Sequence, residues 1–259
     1  MKVCWIVLCR DEEDIIPFVV PYWRRVADHV VVFDNGSTDS SIELLSKYDW
    51  IEIRQFQSEG HNDLIHKEIK ERAYLEFKSE YDVVICTDMD EVFYFDDFKA
   101  LVGKMIDGGY NILSVPIYAL CEDFKPPVEE GKYLHEQCHK FFKQRMNHIK
   151  GFEGVAKFSI FNTKITDKVM MSVGQHIVQT TPCLRIMHVN NGFCLHINKG
   201  FGAGYFIDKR RKMGSNLSDT NRRFNMGIEY LKSEEDSIKE YLNNQKQSFD
   251  INDFSGNYK

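Results

Sequence analysis

The sequence has no Cys-x-x-Cys pair, no apolar run of membrane-spanning length, no internal repeat, no low-complexity tract and no excess of positive charge. Each absence removes a class of protein. Seven cysteines, an odd number scattered through apolar runs such as KVCWIVLC and VVICTD, read as core thiols rather than a zinc or disulfide framework. A reducing, cytoplasmic setting is therefore expected. The apolar run after Met1 meets charge at Arg10, too soon for a secretory core or a membrane span. A formal net charge of −6 argues against a partner gripped by bulk positive charge, so no nucleic acid is expected. The basic stretch Lys209 to Lys212 leaves a peripheral membrane contact open.

What is present suffices for a sizeable core: 259 residues with 43% hydrophobic and 13% aromatic content. Short apolar, β-rich runs alternate with helical patterns through the first third, the signature of an α/β fold with a parallel sheet. Strands are predicted at Val3 to Cys9, Val30 to Phe33, Ile51 to Phe56 and Val83 to Cys86, and helices at Ile15 to Val26, Ser41 to Tyr48 and Asp63 to Lys78. The second helix follows a capping-box pattern, Ser40-x-x-Glu43. Ligands of such sheets bind at the carboxyl ends of the strands. There the chain places CRDEED, DNGSTD, SEGHND and TDMDE.

Beyond Asp96 the pattern loosens. A helix is predicted near Asp97 to Ile106, strands at Ile112 to Leu120, Lys157 to Phe161 and Phe193 to Ile197, and helices at Ala203 to Met213, Asn221 to Leu231 and Glu234 to Asn244. The long polar and aromatic stretch up to about Gly154 reads as a lid or binding loop.

Asp88-Met89-Asp90, directly after a buried strand, offers hard oxygen ligands suited to Mg²⁺ or Mn²⁺ beside a diphosphate. Asp34, at the end of the second strand, is an acceptor fit for a base N–H or a ribose hydroxyl. Taken in order, strand, CRDEED, strand, DNGSTDSS, helix, strand and DMDE resemble a glycosyltransferase of the family 2 type with the GT-A fold. The later LHINKGFGAGYFIDKRRKMG, Leu195 to Gly214, resembles a segment of one branch of these enzymes, and the likeness runs over about residues 1 to 214. It implies a Rossmann-type mixed sheet flanked by helices. The glycosyltransferase domain would span 1–214, with a nucleotide-binding half at about 1–95 and an acceptor-binding half at about 96–200, and a short helical C-terminal extension would span 215–259.

The resemblance also implies roles. Arg10, Asp11 and Glu13 would touch the nucleotide, and Asp34 would read its base. Asp88 and Asp90 would face the metal and diphosphate with His196, while Glu91 would hold a ligand or a sugar hydroxyl. The donor would be a nucleotide-diphosphate sugar, the acceptor a carbohydrate or other hydroxyl, and the outcome inversion. Asn62, His66 and Lys157 are candidates for nucleotide or phosphate contact, and Lys199, with Lys209 or Arg211, for the leaving diphosphate. The family's late acidic motif is not recognisable, which leaves Asp123, Glu122 and Glu153 as candidate bases.

Two other readings compete. One is a binding protein that keeps the nucleotide pocket without turnover. The other is a zinc hydrolase built on His135-Glu136-x-x-His139, a pattern that on a helix sets two imidazoles on one face. The Gly200 to Gly204 run resembles a dinucleotide fingerprint superficially and reads as a flexible link near the phosphates.

Overall fold

The structure, a computed structural model, describes residues 1–143 and 156–250. In chain order the elements are β1 (Val3–Cys9), α1 (Ile16–Val26), β2 (His29–Asp34), α2 (Ser41–Leu45), β3 (Ile51–Gln55), α3 (Asp63–Phe77), β4 (Val83–Asp88), β5 (Glu91–Phe95), α4 (Phe98–Asp107), β6 (Ile112–Leu120), α5 (Leu134–Gln137), β7 (Phe141–Lys143), β8 (Ala156–Asn162), β9 (Lys168–Met171), β10 (Val178–Thr181), β11 (Ile186–His188), β12 (Gly192–His196), α6 (Ala203–Ser215), α7 (Asp219–Arg223) and α8 (Glu234–Lys246). They group into two compact units. The first comprises Met1–Gln57, Leu64–Pro116 and Ala156–Cys194; the second comprises Ser58–Asp63, Ile117–Val155 and Leu195–Lys259.

The first unit is built on a mixed sheet in the order β3-β2-β1-β4-β8-β6-β12-β5. Every residue of β1 is buried, because this strand lies between β2 and β4, parallel to both. A parallel strand covered on both faces reads as an unbroken apolar run, and VCWIVLC is one. The sheet turns mixed at β8, which runs antiparallel to β4 with Val83 opposite Asn162. Helix α3 packs through Lys70, Ala73, Tyr74 and Phe77, spaced i, i+3, i+4 and i+7 on one face. Tyr74, Phe77, Cys4, Ile6 and Phe161 share one apolar cluster. Helix α4 begins at Asp97, whose carboxylate accepts the N–H of Ala100 at 2.9 Å. The expected α/β sheet flanked by helices is thus present.

Three expectations change. The capping box at Ser40 does not form: the Ser40 N–H goes to the Glu13 carboxylate at 3.0 Å, and its side chain makes no cap bond. Strand β5, five buried residues immediately after the acidic turn, was not foreseen. The helix expected over Asn221 to Leu231 is broken at Asn225 (φ +55°) and Gly227 (φ +67°), conformations that end a right-handed helix.

In the second unit the outer part of β6 pairs with β7, Tyr118 opposite Lys143. Cys121, Phe206 and Tyr241 form a small core that Phe142 and Ala203 join. Glu240 of α8 is the electrostatic centre. It accepts from Lys199 Nζ at 2.6 Å, from Arg210 through both oxygens at 2.9 and 3.0 Å, and from Lys232 Nζ at 2.9 Å. Burial alone would raise the Glu240 pKa, but the cations, Lys199 foremost, hold it at about 2. The Lys199 pKa is lowered as well, because its burial outweighs the pull of Glu240. The pH sensitivity resides in the carboxylate, which faces three cations at once.

A depressed carboxylate contributes stability that is complete above its ordinary pKa of 4.5 and is lost as the pH falls towards the folded value. Glu240→Gln should therefore be less stable than wild type by about 2–3 kcal/mol at pH 6, with the gap closing as the pH approaches 2. Chemical denaturation across that range measures it, and a gap independent of pH contradicts it.

Candidate active site

At the carboxyl ends of β1 and β2, two acidic loops lace together through carboxylates that accept backbone N–H groups. Asp34, 1% exposed, turns its carboxylate onto its own loop: it accepts from Gly36 N at 3.1 Å and from the Ser37 N–H and hydroxyl, the latter at 2.5 Å. Asp11 sits at φ +52° and accepts the N–H of Thr38 at 2.6 Å. Its own N–H donates to the Ser37 hydroxyl at 2.9 Å. Glu13 accepts the N–H of Ser40, and the N–H of Glu12 donates to the Ser41 hydroxyl at 2.8 Å. Arg10 stands 3.8 Å from Asp11.

The side chains expected to face a nucleotide therefore build the loop itself. A carboxylate has about four lone-pair sites, so one that accepts two or three hydrogen bonds from its own loop keeps room for a further donor. Asn35, next to Asp34, meets His66 Nε2 at 3.2 Å, and His66 stands edge-on to Phe56.

The acidic turn after β4 has a different construction. Lys70 Nζ lies 2.8 Å from Asp88 Oδ1, and a second ammonium, that of Lys157, pairs with Glu91 where both side chains are only 2% exposed. The Asp88 N–H points to Glu91 Oε2 at 3.5 Å. Lys157 also donates to the Gly174 carbonyl at 2.6 Å. Loss of hydration at this turn would raise the Asp88 pKa, but Lys70 first and Lys157 second outweigh it, and they hold Asp88 below its ordinary value despite the neighbouring Asp90. Burial likewise would lower Lys157, yet Glu91 and Asp88 hold it high. Lys157 was expected to meet a phosphate; it is instead the buried counter-ion of Glu91. Asp90, 8% exposed, completes the turn.

Just ahead of α3 and in its first turn, His61, Asp63 and His66 bring one ligand-type atom each within 4.8 Å of one another. Asn62 between them is 5% exposed. Asn221 holds Asp63 from the other side, donating to Oδ2 at 2.7 Å while His61 meets Oδ1 at 3.2 Å. Two imidazoles and a carboxylate are a donor set that suits a transition metal. The pattern H-x-D-x-x-H was the available signal for it, and sequence reasoning had singled out His66 alone of the three.

In the second unit Glu122 accepts the N–H groups of His139 and Lys140, the latter at 2.6 Å, and is 9% exposed. Asp123 is open to solvent and is bound by Lys140 and Gln245, which keep its pKa low, Lys140 foremost. Gly202 is required beside it: at φ +102°, a Cβ there would lie 2.6 Å from the Asp123 carbonyl oxygen. The glycine run is thus a close-packed joint. His196 ends β12, and Glu153 lies outside the described residues.

Lys199, a candidate for the leaving diphosphate, is 7% exposed and held by Glu240, with the Phe206 ring 4.8 Å from its Nζ. Arg211 pairs with Asp208 and Glu234 on the surface, and Lys209 is half-buried in the same helix, α6. The zinc pattern fails on geometry. Helix α5 holds only four residues, Cys138 is extended, Glu136 caps the Tyr133 N–H at 2.7 Å, and His139 faces Asp250 at 3.6 Å.

A family model described as glycosyl transferase family 2 matches residues 4–170. The chain belongs to glycosyl transferase family 2. It is a glycosyltransferase, and its mixed sheet flanked by helices is of the GT-A type. Among solved structures, S. aureus TarS 1-349 is similar at 14% identity and TM-score 0.46, covering 89% of this chain and 71% of that one. The same fragment in complex with UDP-GlcNAc is similar at 15% identity and TM-score 0.44, covering 89% and 72%. A 4-diphosphocytidyl-2C-methyl-D-erythritol synthase is similar at 13% identity and TM-score 0.36, covering 64% and 77%. Among curated proteins none matches significantly. Among the described residues no helix of this glycosyltransferase is long and apolar enough to cross a membrane.

The buried pair of Glu91 and Lys157 has a measurable consequence in this enzyme. Lys157→Met strands a buried carboxylate and should destabilise the fold by about 3–5 kcal/mol, whereas Lys157→Met with Glu91→Leu should regain most of that loss. Urea unfolding of the single and double variants checks this. Equal stability of the two would show that the carboxylate is not held by Lys157.

Proposed function

We propose that this glycosyltransferase moves a sugar from a nucleoside-diphosphate donor to an acceptor hydroxyl, with Asp90 and Asp88 holding a divalent cation, Mn²⁺ or Mg²⁺, at the donor diphosphate. The observation that carries the reading is the acidic turn itself. Asp88, Asp90 and Glu91 stand at the carboxyl end of a buried parallel strand with lysines built in beneath two of them. The residues fit a hard cation: two carboxylates one residue apart, Asp88 and Asp90, supply oxygen donors.

When bound, the cation would stabilise negative charge on the departing diphosphate. The chain's own residues do the rest. The laced loops after β1 and β2, shaped by Asp34 and Asp11, offer a fixed surface to the nucleoside, so that its position is set before reaction. Lys70 and Lys157 limit the repulsion among the carboxylates. The acceptor oxygen bonds to the anomeric carbon as the bond from that carbon to the diphosphate oxygen breaks, which gives inversion in a single displacement.

The acceptor proton passes to a carboxylate, for which Asp123 is the choice over Glu122. Glu122 is 9% exposed and takes two backbone N–H groups on one oxygen, while Asp123, although held by Lys140 and Gln245, has its side chain 53% exposed. Lys140 holds the Asp123 pKa low, which keeps the carboxylate ionised but weakens it as a base, so release from Lys140 would accompany proton transfer.

Turnover of Asp90→Asn, measured as nucleoside diphosphate released from a panel of sugar nucleotides with Mn²⁺, should fall about 100-fold or more. Unchanged turnover contradicts the cation assignment. Loss of activity in Glu122→Gln with full activity in Asp123→Asn would transfer the base to Glu122.

A further inference from the structure

The cation reading uses the acids at the end of β4, but it does not require a lysine beside them, and Lys70 is there in a setting that costs the fold something to maintain. It stands on the core-facing stripe of α3 with Ala73, Tyr74 and Phe77, 4% exposed, where an apolar residue would be the default. Its ammonium has two fixed partners: Asp88 Oδ1 at 2.8 Å and Gln175 Oε1 at 2.9 Å.

Gln175 is itself immobilised. It is 2% exposed, lies at φ +58°, and its amide nitrogen donates to the Cys86 carbonyl at 3.1 Å and reaches Met171 Sδ at 3.2 Å. A non-glycine residue at positive φ is maintained only where its surroundings demand it. Here the surroundings are the strand that carries Asp88 and the ammonium that faces it. Lys70 is therefore a fixed positive charge one hydrogen bond away from the first aspartate of the D-x-D pair.

We propose that Lys70 is a built-in counter-ion that competes with the divalent cation for Asp88, so that the cation binds the empty protein weakly and binds well only together with a diphosphate. This rests on the cation reading above. The reasoning is electrostatic. A fixed unit charge a few ångströms from a divalent site opposes the ion strongly in a partly buried setting. The negative charges of a diphosphate restore the balance and draw the two ligands in together. Lys70 is on this account a positioning residue. It holds Asp88 in place while no donor is present, and it makes cation and donor binding interdependent.

The test uses Mn²⁺ alone and Mn²⁺ with UDP, GDP and CDP in turn, with free Mn²⁺ read by electron paramagnetic resonance on the full chain. Lys70→Gln removes the charge and leaves a shorter amide donor in the same place; Lys70→Arg keeps the charge. Lys70→Gln should bind Mn²⁺ alone about tenfold or more tightly than wild type, and the gain in Mn²⁺ affinity on adding the nucleotide should shrink by a similar factor. Lys70→Arg should resemble wild type.

A merely structural lysine would give weaker binding or none on substitution, never tighter. If Lys70→Gln does not fold, Lys70→Met is measured in its place with the same expectation. Mn²⁺ affinity unchanged or weakened in the neutral variant, while Asp90→Asn abolishes nucleotide-dependent Mn²⁺ binding, overturns the counter-ion role and leaves the cation reading standing. Nucleotide-dependent Mn²⁺ binding that survives Asp90→Asn overturns the cation reading and this inference together.

Discussion

Burying charge beside charge is the constraint on which the first unit depends. Asp88, Asp90 and Glu91 cannot share a short turn in a partly desolvated setting unless cations are supplied, and the chain supplies two from different elements. Lys70 comes from α3 and Lys157 from β8, so both elements must reach the same depth beneath the turn. The antiparallel pairing of β8 on β4 brings the Lys157 strand alongside the strand that leads into the turn. Pairs of this kind add little net stability compared with apolar residues of the same size. What they provide is placement: a carboxylate turn whose geometry is set before any ligand arrives.

Acidic side chains serve three purposes in this protein, and residue type alone does not separate them. At the ends of β1 and β2 they accept backbone N–H groups and shape two loops into one surface. At the end of β4 they are charge-balanced and offer oxygen to a ligand. In the second unit Glu240 collects Lys199, Arg210 and Lys232 and joins α6 to α8. The basic run 209–212 is divided the same way, with Arg210 turned inward to Glu240 and Arg211 on the surface among acidic partners.

The parts of the fold with one dominant signal were legible in the sequence. The apolar runs of β1, β2 and β4 are strands because both of their faces are covered, and the helices between them carry a single apolar stripe. The rest depended on partners distant in sequence. The first position of β5 is a glutamate, Glu91, which only the buried Lys157 makes tolerable in a strand. The burial of Lys199 was not legible because its partner, Glu240, lies 41 positions away. The zinc pattern at His135 was lost because the chain extends at Cys138, a matter of local backbone that the spacing of histidines does not report. Lys70 carried a readable clue, a lysine on the apolar stripe of a helix, which signals a buried partner without saying which one.

The central claim is that the acidic turn after β4 is a diphosphate site completed by a divalent cation. The most direct measurement is calorimetric titration of wild-type protein with a nucleoside diphosphate and with the matching monophosphate, each with and without Mn²⁺. The account predicts that the diphosphate binds more tightly than the monophosphate when Mn²⁺ is present and that this preference disappears in its absence. A preference for the diphosphate that is the same with and without Mn²⁺ would contradict it.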